Sequence, residues 1–141
     1  MDVTVKWRED LGDMSLEGVG PLGKPVIMDS SPAFGGKGNG PSPMELVLIA
    51  LGGCTAMDIL SILRKKRLEV KSLELKINGE RAEDYPKEFT KADIKYIITG
   101  KNIDPAAVQR AIELSEQSYC GVAGTLKKEC KISTSFEVKE S

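Results

Sequence analysis

The run from Ser42 to Arg67, "SPMELVLIALGGCTAMDILSILRKKR", constrains the fold more than any other stretch of the chain. Ser42 reads as an N-cap, Pro43 as the first helical residue and Glu45 as the partner that closes a capping box, so three helix-start signals agree. Pro43 to Arg67 is 25 residues, about 37 Å at 1.5 Å per residue. That is long for a chain of 141 residues, which is the size of one domain. Between Leu46 and Leu51 the helix is apolar all round, which predicts an element wrapped by protein on every side. Gly52 and Gly53 follow, at a cost of about 1–2 kcal/mol in helix propensity relative to alanine. Their presence predicts close approach of another backbone, either a second helix or the same helix of a partner subunit.

Met44 to Leu63 also has the length of a membrane span, with Arg64 to Arg67 as its basic anchor. Against a span stand Asp58, which would cost about 2.5–3.5 kcal/mol at a bilayer centre, Glu45, the two glycines and the polar remainder of the chain. The basic run reads instead as a solvated helix end whose charge suits the macrodipole. The start, "MDVTVKWRED", lacks the basic and apolar pattern of a signal peptide, so the expectation is a cytoplasmic protein with no membrane segment.

Around this helix the pattern is that of short strands. Val3–Trp7, Met14–Val19 and Lys24–Asp29 alternate and are separated by turn residues, which predicts an antiparallel meander. The glycine- and proline-rich segment Ser30–Pro43 is a loop. Beyond the helix, Leu73, Leu75 and Ile77 alternate on one strand and Ile94, Tyr96 and Ile98 on its hairpin-like mate. A second helix begins at Asp104-Pro105 and carries Val108, Ala111, Ile112 and Ser115 at helical spacing to Tyr119, with Gly121 as its expected end. A last strand places Cys130, Ile132, Thr134, Phe136 and Val138 on one face, so Cys130 is expected in the core. The fold class is α+β, with residues 1–141 read as a single domain.

The chain has no histidine, which removes Ser-His-Asp and Cys-His catalysis and argues against an ordinary zinc site. A net charge of −1 gives no footprint for nucleic acid. Three cysteines without a CxxC pair do not make a disulfide framework. Cys54 and Cys120 remain as candidates. On the long helix Cys54 shares a stripe with Ala50, Asp58 and Ser61 that becomes polar toward the C-terminus, as at a cleft or interface. The Asp58 carboxylate disfavours a thiolate there, and Cys54 lies eleven residues beyond Pro43, outside reach of the helix N-terminus. Any activation must come from a cation supplied by the fold. Cys120 lies beside Gly121 at a helix end, a position open to partial exposure and motion, and its 66-residue separation from Cys54 defines no geometry by itself.

"GPSPMELVLIALGGCTAMDILSILRKKR", "INGERAEDYPKEFTKADIKYIITG" and "AIELSEQSYCGVAGTLKK", in this order, closely resemble the OsmC/Ohr family in its YhfA-like branch, over about Val3 to Val138. The resemblance implies an intertwined homodimer with a curved antiparallel sheet, a long central helix carrying Cys54, a second helix ending near Cys120, and sites at the subunit interface. It also implies reduction of organic hydroperoxides without a resident cofactor or metal. Cys54 would be the peroxidatic thiol and Cys120 the resolving one, and a lipoyl-type or other external dithiol would reopen their disulfide. Peroxidase members place a glutamate directly after the proline of the helix start, paired with an arginine. Here that position is Met44 and no arginine lies between Leu11 and Asn39; Glu45, one residue later, is the third candidate catalytic residue beside its role in the capping box. Arg8, Lys37, Arg81 and Arg110 are the other cations the fold could bring. Two functions therefore stand open: a thiol peroxidase of oxidative defence, or a small-molecule binding or redox-sensing protein with an apolar ligand in its cleft. A purely structural dimer is the third reading, with Cys54 occluded.

Overall fold

Alternation in the first third produces β1 (Thr4–Trp7), β2 (Leu16–Val19) and β3 (Pro25–Met28), an antiparallel meander in which Thr4 faces Val19 and Leu16 faces Met28. The computed structural model describes residues 1–141 as two compact units, Met1–Val47 and Leu48–Ser141. In the first unit a buried carboxylate pins the glycine-rich loop. Asp29 accepts hydrogen bonds from Ser30 N (2.7 Å), Asn39 N (3.1 Å) and Ser15 Oγ (2.9 Å). The Asn39 side chain donates onward to Leu11 O and Ser15 Oγ. Burial pushes the Asp29 carboxyl up, but the bonds from Ser30, Asn39, Ser15 and Lys37 outweigh it and hold the group below its ordinary value.

The long helix, α1 (Pro43–Lys65), begins as its sequence requires. Glu45 N donates to Ser42 Oγ at 3.2 Å while Ser42 N donates to Glu45 Oε2 at 2.6 Å, a reciprocal capping box. Within the second unit α1 buries Leu51, Thr55, Ile59 and Leu63, one residue per turn. The opposite row, Ile49, Gly53, Met57 and Ser61, is exposed, with Ile49 at 57% and Met57 at 73%. Within this single chain Leu51 is buried, Leu46 to Leu48 are half-buried and Ile49 is open, so the chain by itself encloses only part of the Leu46–Leu51 surface.

Beneath the buried row lies a sheet of β4 (Glu69–Arg81), β5 (Phe89–Lys101) and β6 (Lys131–Glu140), in that order. β4 and β5 pair antiparallel, with Leu73 opposite Ile98, Leu75 opposite Tyr96 and Ile77 opposite Ile94. β6 adds parallel to β5. The reason is the connection, a helical crossover that returns the chain to the end where β5 began. Alternation on β5 puts Ala92, Ile94, Tyr96 and Ile98 in the core, and each of the two isoleucines contributes about 1.5–3 kcal/mol. Cys130 is buried with them, as its strand pattern predicts, and burial raises its thiol. At Gly52 a built Cβ would lie 2.5 Å from Ile77 Cδ1, whereas at Gly53 nothing lies within 4 Å. The close neighbour that Gly52 admits is therefore a side chain of this chain's own sheet and not a second helix.

The crossover is α2 (Pro105–Leu114), a π turn over Ser115–Tyr119, and α3 (Gly121–Leu126). Asp104 caps α2 by accepting from Ala106 N at 3.0 Å, as its sequence predicts. The expected stop at Gly121 is corrected: the helix breaks at Cys120, which is extended at φ −76°, ψ 106°, and Gly121 opens the next helix.

Ile59→Ala, in the middle of the buried row, is expected to cost about 2–5 kcal/mol of stability in a urea titration. Asp29→Asn provides a pH test. A carboxyl with a depressed folded pKa stabilises the protein above its unfolded pKa, about 4, and loses that contribution as pH falls. The wild-type advantage in urea midpoint over Asp29→Asn is expected to be full at pH 7 and to shrink below pH 4; an equal gap at both pH values would refute this role.

Candidate functional site

Helix periodicity places Cys54 and Asp58 one turn apart on the half-buried row of α1, between its buried and exposed rows. The break after the π turn brings Cys120 to them. The Cys54 and Cys120 sulfurs and an Asp58 carboxylate oxygen all lie within 4.8 Å of one another. All three belong to the second unit, so their adjacency comes from packing between α1 and the crossover.

Each member has its own support. Ser115 Oγ, the first position of the π turn, donates to Asp58 Oδ2 at 2.8 Å and fixes that carboxylate. Cys120 is 4% exposed, which corrects the expectation of a partly exposed position. Its Sγ accepts from Ala123 N at 3.3 Å as the N-cap of α3. Burial and then the neighbouring Cys54 thiol push the Cys120 thiol up to about 11, against the smaller lowering effect of the Ala123 amide. Cys120 is therefore a protonated thiol at neutral pH. Cys54 is half-buried and is the more accessible of the two sulfurs.

Two further residues reach this place without having stood out in the sequence. Tyr96 reads as an ordinary core position of β5, yet its hydroxyl lies in the field of Glu116, Cys120 and Asp58. Burial pushes it up to about 12, with a Thr55 hydrogen bond opposing. Ser115 appears only as a small residue at helical spacing. Its one available signal was the polar atom it brings to an otherwise apolar row of α2.

The cations considered from sequence have other partners. Arg8 pairs with Asp10 and Glu17 in the first unit, and Arg110 pairs with Glu113 on the exposed side of α2. Arg81 donates to Lys87 O. No lysine or arginine forms an ion pair with Asp58 or a hydrogen bond with either thiol. Glu45 lies in the first unit and is engaged with Ser42, which holds its carboxyl below its ordinary value. Lys37 also belongs to the first unit.

The sequence pattern of the family described as OsmC-like protein matches residues 36–135. Protein YhfA of Escherichia coli (strain K12) is 43% identical over 138 residues, covering 98% of each chain. Among solved structures, a hypothetical protein from Aquifex aeolicus VF5 is 28% identical with a TM-score of 0.84, over 99% of this chain and 96% of its own. An organic hydroperoxide resistance protein OsmC from Legionella pneumophila shares the fold, with a TM-score of 0.67 and 11% identity over 97% of both chains. With the family pattern spanning most of the chain, and both cysteines inside it, the protein belongs to the OsmC-like family.

Proposed function

We propose that this chain is a thiol-dependent peroxidase for organic hydroperoxides, with Cys54 as the attacking and Cys120 as the resolving sulfur. One observation carries the reading: two cysteines 66 residues apart meet within 4.8 Å, one accessible and one buried. The Cys54 thiolate attacks the distal oxygen of the hydroperoxide and the O–O bond breaks. The alcohol leaves with a proton, and Cys54 becomes a sulfenic acid. Cys120 then attacks that sulfur, and hydroxide leaves as water with the proton that Cys120 gives up. Asp58, held by Ser115 beside both sulfurs, is the nearest carboxylate to receive and pass on this proton. Closing a 2.05 Å disulfide from this separation requires side-chain rotation and a shift at Cys120. Its place in the joint between a π turn and a short helix suits such a shift.

The reading includes a single OsmC-like domain, a cytoplasmic setting, and an external dithiol, lipoyl-type or other, as reductant. Thiol chemistry of this kind needs no prosthetic group. It also includes a homodimer, because the open row Ile49, Gly53 and Met57 is apolar and the helix tolerates a glycine at 53 that nothing in its own chain requires. Glu45 remains a capping residue in this scheme, and no catalytic step is assigned to it. The second reading, a small-molecule binding or redox-sensing protein, draws on a different observation: no cation pairs with the thiols, and the Cys120 thiol is pushed up to about 11.

The peroxidase reading is tested by intact-mass spectrometry of reduced protein in chelator-treated buffer after one equivalent of cumene hydroperoxide. Wild type is expected to lose two hydrogens rapidly, and Cys120→Ser to accumulate a dimedone-trappable sulfenic acid on Cys54. Slow, unselective oxidation of all three thiols would decide for the second reading. For the dimer, Met57→Glu is expected to halve the mass measured by light scattering. A wild type that is already monomeric would end that part of the proposal.

A further inference from the structure

Cys54, Asp58 and Cys120 also have the makings of a cation site. We propose that they bind a thiophilic divalent cation of the zinc class, and that cation binding and disulfide formation are alternative states of the same two sulfurs. The inference uses the thiols of the preceding reading but rests on their geometry, not on peroxide reduction.

Three arguments converge. The first is donor chemistry, since two sulfurs and one carboxylate oxygen form a set that suits zinc and its congeners. The missing histidine excludes the common Cys/His sites but not this one. The second is geometry. Two donors stand one turn apart on a single rigid helix, and the third comes from an extended residue, with all three atoms within 4.8 Å. Sulfurs bound tetrahedrally at 2.3 Å lie about 3.8 Å apart. Binding therefore needs the sulfurs to approach by at most about 1 Å, within reach of side-chain rotation. Ser115 supplies the outer contact, donating to Asp58 Oδ2 at 2.8 Å and orienting the carboxylate as hydrogen bonds to metal ligands do. The third argument is charge. Binding displaces the thiol protons, so the bound set of two thiolates and a carboxylate carries three negative charges, and no lysine or arginine forms an ion pair with Asp58. A divalent cation is the countercharge that the protein itself does not provide. Half-buried Cys54 leaves an approach for the ion and for a water or exogenous fourth ligand.

The two states exclude each other by stoichiometry. One hydroperoxide, two cation-bound thiolates and two protons yield one disulfide, one alcohol, one water and the free cation. A bound cation shields the thiols, and an oxidant that overcomes it releases the metal.

The test is titration of the reduced full-length chain with Co²⁺, followed by competition with Zn²⁺, with no peroxide present. One equivalent per chain is expected, with a sulfur-to-cobalt charge-transfer band that Cys54→Ser and Cys120→Ser each reduce to about half. Asp58→Asn and Ser115→Ala are expected to retain that band while weakening affinity by about tenfold or more. Cys130→Ala should bind as wild type, which separates the site from general thiol content. Protein oxidised beforehand with diamide should not bind, and zinc-loaded protein should form the disulfide at least about tenfold more slowly than metal-free protein. A charge-transfer band left at full intensity by either cysteine substitution, or binding that survives prior oxidation, would overturn the proposal, as would no binding by wild type. Peroxide consumption in chelated buffer is a separate measurement, so failure of the peroxidase reading and failure of the cation site are distinguishable.

Discussion

The packing of one row of α1 on the β4–β5–β6 sheet governs everything else in the second unit. Leu51, Thr55, Ile59 and Leu63 are buried at intervals of four residues, and this fixes the rotation of the helix about its axis. Gly52 permits the approach, because a Cβ there would meet Ile77 at 2.5 Å. Thr55 can be buried because its hydroxyl bonds back to the carbonyls of Leu51 (3.0 Å) and Gly52 (3.1 Å). Once the rotation is set, Cys54 and Asp58 must lie on the edge of the contact, half-covered. One further rotation step would bury the thiol or turn it to solvent.

The electrostatics of the cluster follow from that placement. A carboxylate and two thiols gather in a partly desolvated spot, with hydrogen bonds from Ser115 and Ala123 and no basic side chain paired to the carboxylate. Burial dominates at Cys120, so its thiol is raised although a backbone amide points at the sulfur. Accessibility separates the two sulfurs, Cys54 being half-buried and Cys120 buried. This environment agrees with the sequence, in which Met44 stands at the position of the peroxidases' glutamate and no arginine lies between Leu11 and Asn39. It also makes the site receptive to an exogenous positive charge.

Much of this was legible in the chain. The capping box at Ser42 and Glu45, the N-cap at Asp104, the meander, the β4–β5 hairpin and the burial of Cys130 are local patterns. They are readable because periodicity and end chemistry depend on neighbours within four residues. The stripe of Cys54 and Asp58 could be read for the same reason. The end of α2 could not. Gly121 resembles a helix terminator, but the chain turned one residue earlier, because the Cys120 sulfur caps a new helix that starts at that glycine. What covers Leu46–Leu51 could not be read either, since an all-apolar surface says that a face will be covered without saying by what.

What the sequence determined by itself is the strands, the long helix and the start of α2, the two cysteine blocks, the family, and the absence of histidine chemistry. Tertiary structure decided that β6 runs parallel to β5, that Cys120 is buried, and that it meets Cys54 and Asp58 with Ser115 and Tyr96 close by. The physical reason is range. Element formation is dictated by hydrogen bonds and side-chain spacing along a few residues, whereas the meeting of positions 54 and 120 depends on the path of the crossover and the rotation of α1. Both are fixed only when the core closes.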